Sequence, residues 1–169
     1  MEITTVASFL EYFDRIRGRT LRVAATVPPD LIEWRWKDGK FSPGDILRHL
    51  GATERWMFAE NVAGRPGAYP GHGTDLAEGK EGVLAYLERM HSEATAIFGV
   101  LKDDDLRRPC RTPGGAEMAA WKWLRAMIEH ECHHRGQLYL LLSMRDVPTP
   151  PLFGLTSEQV QERTSGGSK

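Results

Sequence analysis

The chain has 169 residues, 41% of them hydrophobic and 27% charged, which fits one domain with a core that needs no disulfide staples. It carries 22 Lys and Arg against 23 Asp and Glu, a formal net charge of -1. That balance argues against a broad basic face for nucleic acid, and no apolar run approaches the ~20 residues of a membrane span, so neither partner is expected.

The dominant period is helical. Val6, Phe9, Phe13, Ile16 and Thr20 recur at three- and four-residue steps. Thr4 or Thr5 can cap this first helix, and Pro28-Pro29 stops it. A connector, Asp30 to Phe41, carries Trp34 and Trp36. Ser42-Pro43 starts a second helix, with a hydroxyl cap before a proline at the first helical position; it is expected to run to about Val62. Ala63 to Gly79 is a Gly- and Pro-rich loop holding His72, which is expected to be solvated.

A third helix is predicted from about Lys80 to Leu101, ended by Asp103 to Asp105. Arg107 to Met118 holds Pro109, Pro113 and Gly114-Gly115 and reads as a loop or a short hairpin. A long fourth helix follows from about Ala119 to Met144, broken by Pro148, Pro150 and Pro151. A short helix near Ser157 to Glu162 is expected to pack back on the body, and Thr164 to Lys169 reads as a disordered tail. Four long amphipathic helices with almost no strand pattern make an all-α four-helix bundle, one domain over residues 1–163. Two long connections leave the helix order open.

The six histidines supply the chemistry. On the fourth helix His130 and His134 are one turn apart and face the bundle interior, with Cβ atoms about 5–6 Å apart. His49 lies in the apolar stripe of the second helix. Each inward histidine leaves a ring nitrogen needing a partner, and three together are hard to bury without an ion. Three protein ligands with positions left over is the pattern of a catalytic rather than a structural site.

His133 falls outside the stripe, as a rim residue able to touch substrate or a ligand's partner. His91 lies at the edge of the third helix's apolar face, an edge-of-core residue ahead of an extra ligand or a proton carrier. Trp56 lies on the side of its helix nearest His49 and can wall a substrate pocket. His130-Glu131-Cys132-His133-His134 also matches H-E-x-x-H, in which Glu131 is a general base. The equal alternative pairs Glu131 with an arginine of a neighbouring helix. A peptidase would need Glu158 or Glu162 as its third ligand, beyond the proline break, and the sheet of such enzymes is missing. Cys132 points away from the histidines and packs as a small residue. Gly136, mid-helix, implies close approach by another helix or loop.

The acidic opening Met1-Glu2-Ile3-Thr4-Thr5 has no features of a secretory leader. Two cysteines, Cys110 and Cys132, build no disulfide framework, so a reducing cytoplasmic location is expected.

Ser42-Pro43-Gly44-Asp45-Ile46-Leu47-Arg48-His49-Leu50, followed by His130-Glu131-Cys132-His133-His134-Arg135-Gly136-Gln137-Leu138, resembles the DinB/YfiT-like superfamily. Leu152-Phe153-Gly154-Leu155-Thr156 is similar to the superfamily's closing segment. The resemblance runs from about Val6 to Val160. It implies an up-down-down-up bundle, a divalent ion, commonly zinc or nickel, on His49, His130 and His134, and often a homodimer. It also implies chemistry on a small-molecule substrate: relatives include S-transferases that use a low-molecular-weight thiol and a mycothiol-dependent isomerase, while many members have no known reaction. Activation of a thiol or water by the ion is therefore the expectation, thiol transfer ahead of hydrolysis. The alternatives are a non-catalytic metal-binding stress-response protein and, further behind, a metallopeptidase.

Overall fold

The structure is a computed structural model that describes residues 2–165. Helix α1 spans Val6–Ala25; the Thr5 hydroxyl accepts from Ser8 N–H at its start, and Asp103 reaches across to accept from the Val6 N–H at 2.8 Å. A 3-10 turn at Pro29–Leu31 turns the chain into the connector. Helix α2, Pro43–Thr53, begins with the Ser42 hydroxyl accepting from Asp45 N–H while the Asp45 carboxylate accepts from Ser42 N–H. It continues without a break through a π-helical segment, Glu54–Ala59, into one last turn, α3, Glu60–Val62. The expected end at Val62 is met, but the periodicity gave no sign of the wider turns. Those turns carry Glu54 inward, where it is 2% exposed.

Helix α4 spans Gly79–Gly99, ending before the expected Leu101. A 3-10 turn at Asp103–Arg107 leads to a hairpin of β1, Pro109–Arg111, and β2, Glu117–Ala119, paired antiparallel with Cys110 opposite Met118. Helix α5 spans Ala120–Ser143, and α6 spans Ser157–Ser165. Unlike the expectation, α6 buries no residue, because its side chains are polar except Val160. It includes Thr164 and Ser165, which the sequence placed in the tail; residues 166–169 of that tail lie outside the described residues.

The core identifies the helix order. In one apolar cluster Phe9 and Phe13 from the start of α1 meet Phe58 after α2, Phe98 at the end of α4 and Leu124 early in α5. In the other, Val23 and Ala24 from the end of α1 meet Ile46 and Leu47, Val83 and Leu87, and Leu138 and Leu141. Helices α2 and α4 therefore run opposite to α1, and α5 runs with it: up, down, down, up.

Between the two clusters lies a charged layer. Arg17 and Thr20 of α1, Glu54, and Glu131 and Arg135 of α5 are all buried. Arg17 bonds Glu54 and approaches Glu131 at 3.0 Å, Thr20 donates to Glu131 at 2.6 Å, and Glu54 also meets His91 Nδ1 at 2.8 Å. Such charges are tolerated only when paired.

Gly136 corrects an expectation. It is exposed, and an added Cβ would meet nothing within 4 Å. No neighbour requires a glycine there, so Gly136→Ala raises the unfolding free energy by about 1 kcal/mol, measured by denaturant melts. Gly44 shows the opposite case: a Cβ there would lie 2.8 Å from the Ile32 carbonyl oxygen.

Candidate metal centre

The Ser42 cap and Pro43 set the phase of α2 and turn His49 toward α5. Across the gap, His49 Nε2 lies 3.0 Å from His130 Nε2. The ring centroids of His130 and His134 are 4.5 Å apart, one turn along α5. One ligand nitrogen from each of His49, His130 and His134 lies within 4.8 Å of the others; among the described residues this is the one such group of three or more His, Cys, Asp or Glu.

A tetrahedral ion at 2.0–2.1 Å spaces its nitrogens about 3.4 Å apart; the His49–His130 pair lies at 3.0 Å and no pair exceeds 4.8 Å, so small side-chain shifts bring all three onto one ion. Two of the three outward nitrogens are already occupied. His49 Nδ1 bonds the Tyr69 hydroxyl at 2.7 Å, and His134 Nδ1 bonds Gln137 Oε1 at 2.7 Å. Both rings thus keep Nε2 for the centre. Burial, then repulsion from the neighbouring rings, pushes His49 down to about 3 and His130 down to about 4. Burial also lowers His134, against the Gln137 bond. All three are neutral at pH 7, the form that ligates. The donor set fits a divalent cation.

The surrounding side chains come from the segments the periodicity left blank. Tyr69 also meets His72 Nδ1 at 2.9 Å, and the Phe41 ring lies 4.2 Å from the His72 ring and 6.3 Å from that of His134. His72, expected to be solvated, is half-buried, because Arg48 donates from Nε to its carbonyl at 2.7 Å. Arg48 is fully buried and also holds the Ala77 carbonyl, Glu33 and Asp45. One guanidinium thus ties the connector, the start of α2 and the loop over the centre. Burial would raise the Asp45 carboxyl, but the Ser42 N–H, Arg48 and Arg35 outweigh it and hold it below the ordinary carboxylate range.

The structure brings the three histidines together and leaves other candidates elsewhere. Glu131 takes its second arrangement: its oxygens meet Thr20 and Arg17 of α1 in the charged layer. His133 is exposed and bonds Gln137 Nε2 at 3.1 Å, two hydrogen bonds from the centre through His134. Trp56 lies under the Arg55 guanidinium, 4.2 Å from its ring centroid. His91 is spent on Glu54, and Glu158 and Glu162 are exposed on α6. Arg48 and Gln137 stood only inside the quoted motifs, without a role, and Tyr69 and Phe41 carried no signal.

Beside His134 a cavity of about 480 Å³ opens between the connector and α5, lined by Phe41, Ile46, Gln137 and Leu141 among others; Trp56 does not line it.

Fold and centre together define a class: a helical bundle with a three-histidine centre able to hold a metal between its second and last long helices. The DinB superfamily profile matches residues 12–138, and the chain belongs to that superfamily. Its fold is similar to a DinB-like protein from Bacillus cereus, at 17% identity and a TM-score of 0.74, covering 88% of this chain and 97% of that one. A DinB-like protein from Bacillus subtilis, also 17% identical, gives a TM-score of 0.65 over 86% of this chain and 96% of the other. An uncharacterised protein from Escherichia coli gives 0.63 at 16% identity, over 87% and 98%. No curated protein sequence matches the chain. No described helix is long and apolar enough to cross a membrane.

Two outcomes follow from this geometry. Glu131→Gln leaves metal stoichiometry unchanged but lowers stability by on the order of 3 kcal/mol, because Arg17 loses a buried counter-charge; elemental analysis and denaturant melts on one sample check both. Tyr69→Phe removes the bond that orients His49 and weakens metal binding about tenfold, read by titration against a competing chelator.

Proposed function

We propose that the protein is a metal-dependent enzyme whose ion, zinc or nickel, is held by His49, His130 and His134 and activates a low-molecular-weight thiol or water for attack on a small electrophile, with thiol transfer favoured. The observation that carries this is a three-ligand centre beside an open cavity: no fourth His, Cys, Asp or Glu closes it among the described residues. Imidazole suits zinc and nickel alike. When bound, such an ion supplies Lewis acidity, lowering the pKa of the nucleophile brought to it.

The chain's residues do the rest. With Nε2 turned inward, His49 carries its proton on Nδ1 and donates it to Tyr69 Oη, and the Tyr69 hydroxyl donates to His72 Nδ1. His134 likewise donates from Nδ1 to Gln137 Oε1, and the Gln137 amide donates to His133 Nε2. Both chains hold the rings against rotation. Phe41 covers one side of the centre and limits water there. Glu131, engaged by Arg17 and Thr20, is given no role as base.

Thiol transfer is favoured over hydrolysis because of the superfamily, and a cytoplasmic homodimer belongs to the same proposal. The test is elemental analysis of the purified protein followed by assay with panels of thiols and electrophiles. Metal-dependent conjugation is the expected result; ester or amide cleavage without thiol would replace transfer by hydrolysis. A protein that binds no ion would end the proposal.

A further inference from the structure

The cavity beside His134 has a chemical character of its own. Trp36, Phe41, Ile46, Leu140 and Leu141 give it apolar walls, and Lys40 is its one charged lining residue. Trp36 is 50% and Leu140 62% exposed, large apolar groups left open to solvent where the cavity opens. The volume, about 480 Å³, is that of a site for a small organic molecule.

The electrostatics are one-sided. No Asp or Glu lines the cavity. The carboxylates of Glu33 and Asp45 are taken by Arg48 and Arg35, and Lys40 enters no ion pair among the described residues. His134 lines the cavity and belongs to a centre of three histidines with no carboxylate among them, so an ion held there keeps its full positive charge. Lys40 and a cationic centre at His134 share one cavity whose other walls are largely apolar, which complements an anion with an apolar body.

We propose that this cavity is the substrate site and selects a small organic anion, a carboxylate or sulfonate on an aromatic or branched apolar body, with the acid group at Lys40 and the reacting end toward His134. The direction of the substrate rests on the proposed function; the preference for an apolar anion rests on the cavity walls and Lys40.

Binding of 4-phenylbutyrate, 4-phenylbutanamide and 4-phenylbutylamine is compared by calorimetry, on the full chain loaded with one equivalent of zinc and again after chelation. The acid binds about fivefold tighter than the amide in both states, and the amine binds weakest. Lys40→Gln, a change at an exposed position, removes the preference for acid over amide while leaving zinc stoichiometry unchanged. Leu140→Trp, also at an exposed position, fills the opening and abolishes binding of all three. Equal binding of acid and amide, or acid binding untouched by both variants, overturns the inference. An acid preference that survives in a protein unable to bind zinc leaves the inference standing and removes the proposed function. Zinc binding without any acid binding does the reverse.

Discussion

His130→Ala abolishes stoichiometric metal binding, weakening it more than about 100-fold, since two imidazoles then replace three at a centre with no spare donor. Wild-type protein gains about 2.7 kcal/mol of stability at a metal concentration 100 times its Kd, and the variant gains none. Thermal melts with and without metal, beside elemental analysis, measure both. The pH dependence carries a second check. Three ordinary histidines would lose roughly 50-fold in affinity between pH 7.5 and 6.0 through proton competition. Here burial pushes His49 down to about 3 and His130 down to about 4, and it lowers His134 as well, so affinity falls much less than about 50-fold over that range. The same depression acts on stability without metal. The folded state refuses protons that the unfolded chain accepts below about 6.5, so stability is present above that pH and falls as pH drops toward 4. Affinity that fell steeply by pH 6.0 would show that the rings are not held neutral by the fold.

Arg48→Ala has the largest effect expected on stability outside the centre. The guanidinium is fully buried, paired with Asp45 at 2.8 Å and Glu33 at 2.7 Å, and it donates to the carbonyls of His72 and Ala77. Its removal leaves Asp45 buried with one remaining charged partner, Arg35, beside the Ser42 N–H, and frees the loop that carries Tyr69. A loss of about 3–5 kcal/mol is expected, which for a chain of this size lowers Tm by roughly 10 °C. Arg48→Lys recovers little of it, because one ammonium cannot reproduce the fork that reaches four groups. The metal affinity of Arg48→Ala falls together with its stability, since Tyr69 no longer holds His49. Retention of full affinity would separate the loop from the centre.

Local sequence rules were sufficient where the signal is short-range. The Ser42-Pro43 start needs only a hydroxyl and a fixed φ, and the structure shows the reciprocal bonds with Asp45 in place. The stripe Val6, Phe9, Phe13, Ile16 is buried as its period requires. The one-turn spacing of His130 and His134 is a property of any helix. Gly136 shows where such rules mislead: a mid-helix glycine pointed to a close neighbour, and none is there. Glu131 shows their limit, because a helical wheel places it near the bundle interior without telling whether a metal or Arg17 waits there.

The amino-acid sequence alone thus determined the helices, their caps and the inward faces of three histidines, all consequences of periodicity and of bonds within a few residues. Only the tertiary structure decided that His49 meets the other two, 81 residues away in the chain for His130, that Glu131 belongs to a charged layer, and that Arg48 draws a glycine-rich loop over the centre. Those contacts join segments distant in sequence, and their energies depend on burial and mutual geometry that no local pattern encodes.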